Sequence, residues 1–172
     1  MKKTTIISII SSASIMLTAC GAASGDSEEF SFPILNGQGT QIGTLQLEAK
    51  SGGGVEVEVD VSGLTPGSHA MHFHEFGRCD GPDYKSAGGH YNPAAVPHGQ
   101  HAGDMMNVDV SADGTGKFEI TNGKVNIKAG SLPALMDSDG TALIIHAGAD
   151  DYTSQPSGAA GPRVACAVIP AG

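Results

Sequence analysis

Between Val55 and Val61 the chain reads Val-Glu-Val-Glu-Val-Asp-Val, apolar and acidic residues alternating without a break. A period of two belongs to a strand with one face in a core and the other in water; a helix cannot sort these side chains onto one side. Ile42-Gly-Thr-Leu-Gln-Leu-Glu-Ala49 alternates in the same way, and Ser51-Gly-Gly-Gly54 supplies the turn between the two. Further strands are expected at Ser68–His74, Asp104–Val110, Gly116–Thr121, Lys124–Ile127, Leu143–His146 and Arg163–Ile169. Asp113-Gly and Asn122-Gly are dipeptides that tight hairpin turns favour. Glycine occupies 25 of 172 positions, about twice the usual ~7%, as many turns and long loops require. No segment sustains a helical period, so the chain reads as antiparallel all-β. Pro and Gly concentrate in 75–103 and 147–162, where two long irregular loops are expected.

Those loops are flanked by histidine. Of seven His, one group is Gly67-Ser-His-Ala-Met-His-Phe-His74, and a second runs from His90 through His98 and His101 to Asp104. His72 and His74, two apart on an expected strand, project from one face. His98, His101 and Asp104 follow at intervals of three, a spacing that lets one loop wrap a small ion. His146 ends an apolar strand, Ala-Leu-Ile-Ile-His, and so emerges at its rim. Each piece alone has an ordinary reading as surface or core histidine. Together they point to metal, since imidazole suits copper and zinc and one carboxylate among imidazoles is a common zinc set.

The first residues concern address. Met1-Lys-Lys precedes an apolar stretch from Ile6 to Leu17, closed by Leu17-Thr-Ala-Cys20. This is too short and polar for a membrane span, and residues 1–19 read as a secretory signal. The small residues before Cys20 resemble a bacterial lipoprotein signal, with Cys20 as the lipidated first residue of the mature chain; an ordinary signal peptide with an incidental Cys is the alternative. Residues 20–29 read as the lipidated Cys and a flexible acidic tether, and 30–172 as one domain. A lipid anchor implies attachment to a membrane surface facing the periplasm or cell exterior, without insertion of the polypeptide.

Setting Cys20 aside leaves Cys79 and Cys166, an even pair in an exported chain: either a disulfide or two free buried thiols. Without residues 1–19, seven basic against eighteen acidic residues give a net charge of −11. Nucleic-acid binding calls for clustered Lys and Arg, which are absent.

The segments His69-Ala-Met-His-Phe-His-Glu-Phe-Gly77, Ser86-Ala-Gly-Gly-His-Tyr-Asn-Pro93, His101-Ala-Gly-Asp104, Ile144-Ile-His-Ala-Gly-Ala-Asp-Asp151 and Gly161-Pro-Arg-Val-Ala-Cys-Ala-Val168 resemble the copper/zinc superoxide dismutase family. The likeness runs from about residue 30 to the end. It implies an eight-stranded Greek-key β-barrel or sandwich with two long loops over the metals. By motif it implies copper at His72, His74, His90 and His146, and zinc at His90, His98, His101 and Asp104. It implies that Asp150 hydrogen-bonds one copper and one zinc histidine, where the alternative is an ordinary loop acid. Arg163 is implied to attract the anionic substrate, the alternative being an Arg that ties down a loop. Cys79 and Cys166 match the family disulfide. His69, three residues from His72, is expected on the opposite strand face in a structural hydrogen-bonding role.

The implied chemistry is superoxide dismutation by alternate reduction and oxidation of copper, with His90 releasing copper on reduction and carrying a proton to the leaving peroxide. A copper-binding or copper-delivery lipoprotein on the same fold is the alternative. Two departures from the family stand out. His98 and His101 are only three apart, where relatives carry a longer stretch. The segment between His146 and Arg163 has no Lys, leaving Lys85 as the candidate for further steering charge.

Overall fold

The computed structural model describes residues 28–172, so the expected signal, the tether up to residue 27 and Cys20 lie outside the described residues. Nine strands follow in chain order: β1 (Glu29–Asn36), β2 (Gln41–Ala49), β3 (Val55–Val61), β4 (Gly67–His69), β5 (Met71–His74), β6 (Val108–Val110), β7 (Gly116–Asn122), β8 (Thr141–His146) and β9 (Arg163–Ile169). One turn of 3₁₀ helix, Lys85–Ala87, interrupts the loop after β5. The all-β reading is borne out. Among the described residues no helix is long and apolar enough to cross a membrane.

The strands pair antiparallel in the order β5-β8-β9-β1-β2-β3-β7, and β4 pairs with β6. Only Ala70 separates β4 from β5; its N–H donates to the Gly148 carbonyl (2.8 Å) and its carbonyl accepts from His146 N–H (2.9 Å). Counting β4 and β5 as one bent strand gives eight. β6 packs beside β7, so the two ends of the long sheet are joined through β6 and β4, and the sheet curls toward closure. Pairing of β1 with β9 and of β3 with β7 skips intervening strands, as Greek-key crossovers do.

The alternation of β3 does what its period requires. Val55, Val57, Val59 and Val61 are buried, while Glu56 and Glu58 are half-buried and Asp60 is exposed. Val57 lies opposite Leu47 and Ile120, and Val59 opposite Leu45 and Phe118. Each buried Val contributes on the order of 2 kcal/mol through removal of apolar surface from water.

Three strand expectations are corrected, and one strand was not expected. Glu29–Asn36 forms β1, which Pro33 conceals by its lack of an N–H. Pro33 pairs with Thr44 of β2, while β9 meets β1 only at Leu35 and Asn36, so its other edge has no ladder to satisfy. Glu29 therefore belongs to a strand and not to the tether. Ser68–His74 is broken at Ala70, and Asp104–Val110 is strand only from Val108, because Asp104 is held in the preceding turn. Lys124–Ile127 is not a strand: Val125 and Ile127 enter the core, but the backbone there forms only an isolated bridge from Asn126 to Ala134.

Candidate metal centre

β5 and β8 lie side by side, with His72 opposite Ile144 and His74 opposite Ala142. His72 and His74 point the same way from β5, and His146 leaves the end of β8, where the pairing with β9 slips by one residue. The loop after β5 returns at His90, which bridges to His74. One ring nitrogen from each of His72, His74, His90 and His146 lies within 4.8 Å of the others. His90, His98, His101 and Asp104 form a second such group, so His90 belongs to both.

The second group is compact. Asp104 Oδ1 lies 2.9 Å from His90 Nδ1, 3.4 Å from His98 Nδ1 and 3.2 Å from His101 Nδ1. Ligand atoms about 2.0–2.1 Å from a tetrahedral zinc stand roughly 3.3 Å apart, so these separations fit. A spacing of three from His98 to His101 therefore suffices for both rings to reach. Asp104 Oδ2 accepts from Gly99 N–H (2.8 Å) and His101 N–H (3.0 Å), and this folds the short turn around its own carboxylate.

Six buried ring nitrogens have no hydrogen-bond partner: His72 Nδ1, His74 Nε2, His90 Nε2, His98 Nδ1, His101 Nδ1 and His146 Nε2. A buried imidazole nitrogen without a partner is costly unless something fills its lone-pair direction. The opposite nitrogens of four of these rings are anchored. Nε2 of His72 donates to Asp150 Oδ2 and Nε2 of His98 to Asp150 Oδ1, both over 2.9 Å. Nδ1 of His74 donates to the Gly88 carbonyl and Nδ1 of His146 to that of Gly161, both over 3.1 Å. Such outer contacts set the tautomer and aim the other nitrogen inward. The donor chemistry and the free lone pairs fit copper in the four-histidine group and zinc in the group containing Asp104.

Electrostatics favour the ligand forms. Burial pushes His72 down to about 3 and His146 to about 4, and His74 well below the usual imidazole range. Burial opposes ionisation of Asp150, yet hydrogen bonds from His98, the Tyr152 N–H and His72 hold its carboxyl below the usual range. Neutral imidazoles and ionised carboxylates are the forms that bind metal.

A cleft of about 310 Å³ opens onto the four-histidine group, lined by His74, Gly89, His90, His146, Pro156, Ser157, Gly161 and Arg163. Arg163, the first residue of β9, is the one cation in that lining. Its guanidinium donates to the carbonyls of Tyr84 (2.6 Å) and Gly88 (2.5 Å). Lys85 does not line the cleft; its ammonium pairs with Asp83 at 2.7 Å, both exposed, so the expected steering role is not supported. Cys79 and Cys166 form a disulfide that ties the loop after β5 to β9. His69 is buried, its Nδ1 donating to the His146 carbonyl (2.6 Å) and its Nε2 lying 2.7 Å from that of Thr65, as the structural expectation required.

Residues 41–169 match the family described as copper/zinc superoxide dismutase (SODC). The chain belongs to that family. It is 42% identical over 143 residues to a copper-zinc superoxide dismutase of Aquifex aeolicus, covering 79% of this chain and 84% of the relative. It is 47% identical over 124 residues to one of Caulobacter vibrioides, covering 67% of this chain and 71% of the relative. Among solved structures, a SOD-like protein from Bacillus subtilis superposes with TM-score 0.78 at 35% identity, covering 81% of this chain and 97% of that one.

Within this copper/zinc superoxide dismutase family member, several site residues had no signal in the sequence. The Gly88 carbonyl, Gly158, Asn107 and Gln155 all act through backbone groups or at long range. Gly158, at φ +67°, packs so closely on Asp150 that a Cβ there would overlap Oδ1 and lie 2.7 Å from His98 Nε2. Only the long glycine-rich segment itself hinted at such a close approach.

Proposed function

We propose that this chain dismutates superoxide, converting two superoxide anions and two protons into dioxygen and hydrogen peroxide. The observation that carries the reading is the shared His90 between two buried ligand groups whose free ring nitrogens face inward. His72 Nδ1, His74 Nε2, His90 Nε2 and His146 Nε2 would hold copper; His90 Nδ1, His98 Nδ1, His101 Nδ1 and Asp104 Oδ1 would hold zinc. Bound copper supplies the one-electron couple, and bound zinc, which has no redox change, polarises and fixes the shared imidazole.

The chain's own residues do the rest. Arg163 puts a positive charge on the wall of the cleft, and a local field of this kind raises the rate of anion encounter even on an acidic protein. His90 Nε2 serves as the site from which a proton reaches the departing peroxide. Asp150 keeps the His72 and His98 rings in register.

The test is dismutation by the copper- and zinc-loaded protein beside His146→Ala. Cyanide-sensitive activity lost in the variant supports the reading. Tight copper binding without dismutation points instead to a copper carrier.

Export with a lipid anchor at Cys20 is part of the same proposal, supported by the basic start, the apolar stretch and the small residues before Cys20. Labelling of growing cells with a radioactive fatty acid should mark the chain and fail to mark Cys20→Ser; equal labelling of both rules out that anchor.

A further inference from the structure

Two loops meet over the second ligand group, and each grips the other's backbone with an amide side chain. Asn107, between Asp104 and β6, donates from Nδ2 to the Asp150 carbonyl (2.9 Å) and accepts at Oδ1 from Asp150 N–H (2.8 Å). Its own N–H donates to Tyr152 Oη over 2.9 Å. Gln155 does the reverse from the loop after β8. Its Oε1 accepts from His98 N–H (2.8 Å), and its Nε2 lies 3.4 Å from the His98 carbonyl. The two residues gripped, Asp150 and His98, are themselves joined by the 2.9 Å contact from His98 Nε2.

We propose that Asn107 and Gln155 form a reciprocal amide latch whose function is to slow zinc release. They are positioning residues and contact no metal. The deduction rests on the assignment of zinc to His90, His98, His101 and Asp104. A side-chain amide paired with both the N–H and the carbonyl of one residue fixes that residue's backbone in translation and rotation, as a strand neighbour would. The turn from His98 to Asp104 is tied to β5 and Tyr91 at its far end through Gly103, whereas its His98 end is held to the loop after β8 by the Gln155 amide and the His98 ring. With the latch closed, His98 Nδ1 stays aimed at the ion and a departing zinc must break ligand bonds without help from loop motion. With it open, His98 and Asp150 separate together and the ion loses its first ligand.

The strengths of the four bonds differ, and this distinguishes positioning from bulk. Gln155→Glu keeps the 2.8 Å bond from His98 N–H and loses the two long contacts of Nε2, 3.4 Å to the His98 carbonyl and 3.3 Å to the Thr153 carbonyl. Asn107→Asp loses the 2.9 Å donation to the Asp150 carbonyl.

The experiment follows zinc transfer from the metal-loaded full chain to a chromogenic chelator, with the visible absorption of bound copper and the thermal midpoint of the metal-free chain recorded in parallel. The Asn107→Ala/Gln155→Ala pair should release zinc roughly ten- to a hundredfold faster, the range by which outer contacts tune metal sites. Gln155→Glu should release it at nearly the parent rate, and Asn107→Asp at an intermediate one. Gln155→Ala should leave the copper absorption unaltered. Unchanged zinc release in the double variant overturns the latch, as does faster release matched by an equal loss of copper and a collapsed metal-free midpoint. A parent chain that holds zinc but shows no dismutation overturns the proposed function and leaves the latch standing.

Discussion

His74 and Arg163 donate to one acceptor, the carbonyl oxygen of Gly88, over 3.1 and 2.5 Å. A ring of the four-histidine group and the cation of the cleft are thereby fixed to a single peptide. Gly88 sits at φ +76°, and a Cβ there would come within 2.7 Å of Glu75 Oε2 and 2.8 Å of the Phe76 ring. The disulfide holds the same loop from its other side.

Replacement of Arg163 by Ala should lower the dismutation rate roughly ten- to a hundredfold, within the range that a local field contributes to encounter. Copper and zinc content should be unchanged, and the dependence of rate on ionic strength should flatten. Initial rates across a salt series decide it: a parent-like rate with parent-like salt dependence would reduce Arg163 to a tie between β9 and the Tyr84 and Gly88 carbonyls.

Asp150 joins the two halves of the centre through one carboxylate. In Asp150→Ala, zinc affinity should fall about ten- to a hundredfold and the His72 ring should lose its orientation, altering the absorption of bound copper. Titration against a competing chelator measures the first effect and visible spectroscopy the second. Parent-like values for both would make Asp150 an ordinary loop acid.

Gly158→Ala should produce a similar loss by a different cause. The added methyl has no room beside Asp150 Oδ1, and the backbone at φ +67° disfavours any side chain. The loop must shift, carrying Asp150 away from His72 and His98. Weakened zinc binding with the strands intact by circular dichroism is the expected result; normal zinc binding would show that the loop yields without moving Asp150.

Acid should destabilise the metal-free protein through its histidines. His72 and His146 are lowered by burial from 6.5 to about 3 and about 4 in the folded chain. As pH falls through 6.5 the unfolded chain takes up these protons first, so this stability is present above 6.5 and is lost as pH drops toward the folded values. Each group contributes on the order of 2 kcal/mol of loss between its ordinary value and about pH 5. Urea midpoints near neutrality and at about pH 5 test it, and equal midpoints would show that these rings are not held neutral by the fold.

Much of this protein is written locally. The strict alternation of Val55–Val61 could only be a strand with one wet face, and His72 and His74 had to share a side once they lay on such a strand. The candidate ligand motifs were legible because a metal site needs particular residue types at particular spacings, so His90, His98, His101, Asp104 and His146 stand out in the chain itself. Pro33 hid β1 and the buried Val125 and Ile127 imitated a strand, because alternation reports burial and does not report backbone pairing. Only the tertiary structure decided what holds the candidate ligand side chains in place. The Gly88 and Gly161 carbonyls carry no side-chain identity, and Asn107 and Gln155 meet partners 43 and 57 residues away. A peptide group accepts a hydrogen bond wherever the fold brings it, so its role is set by approach in space and leaves no pattern along the sequence.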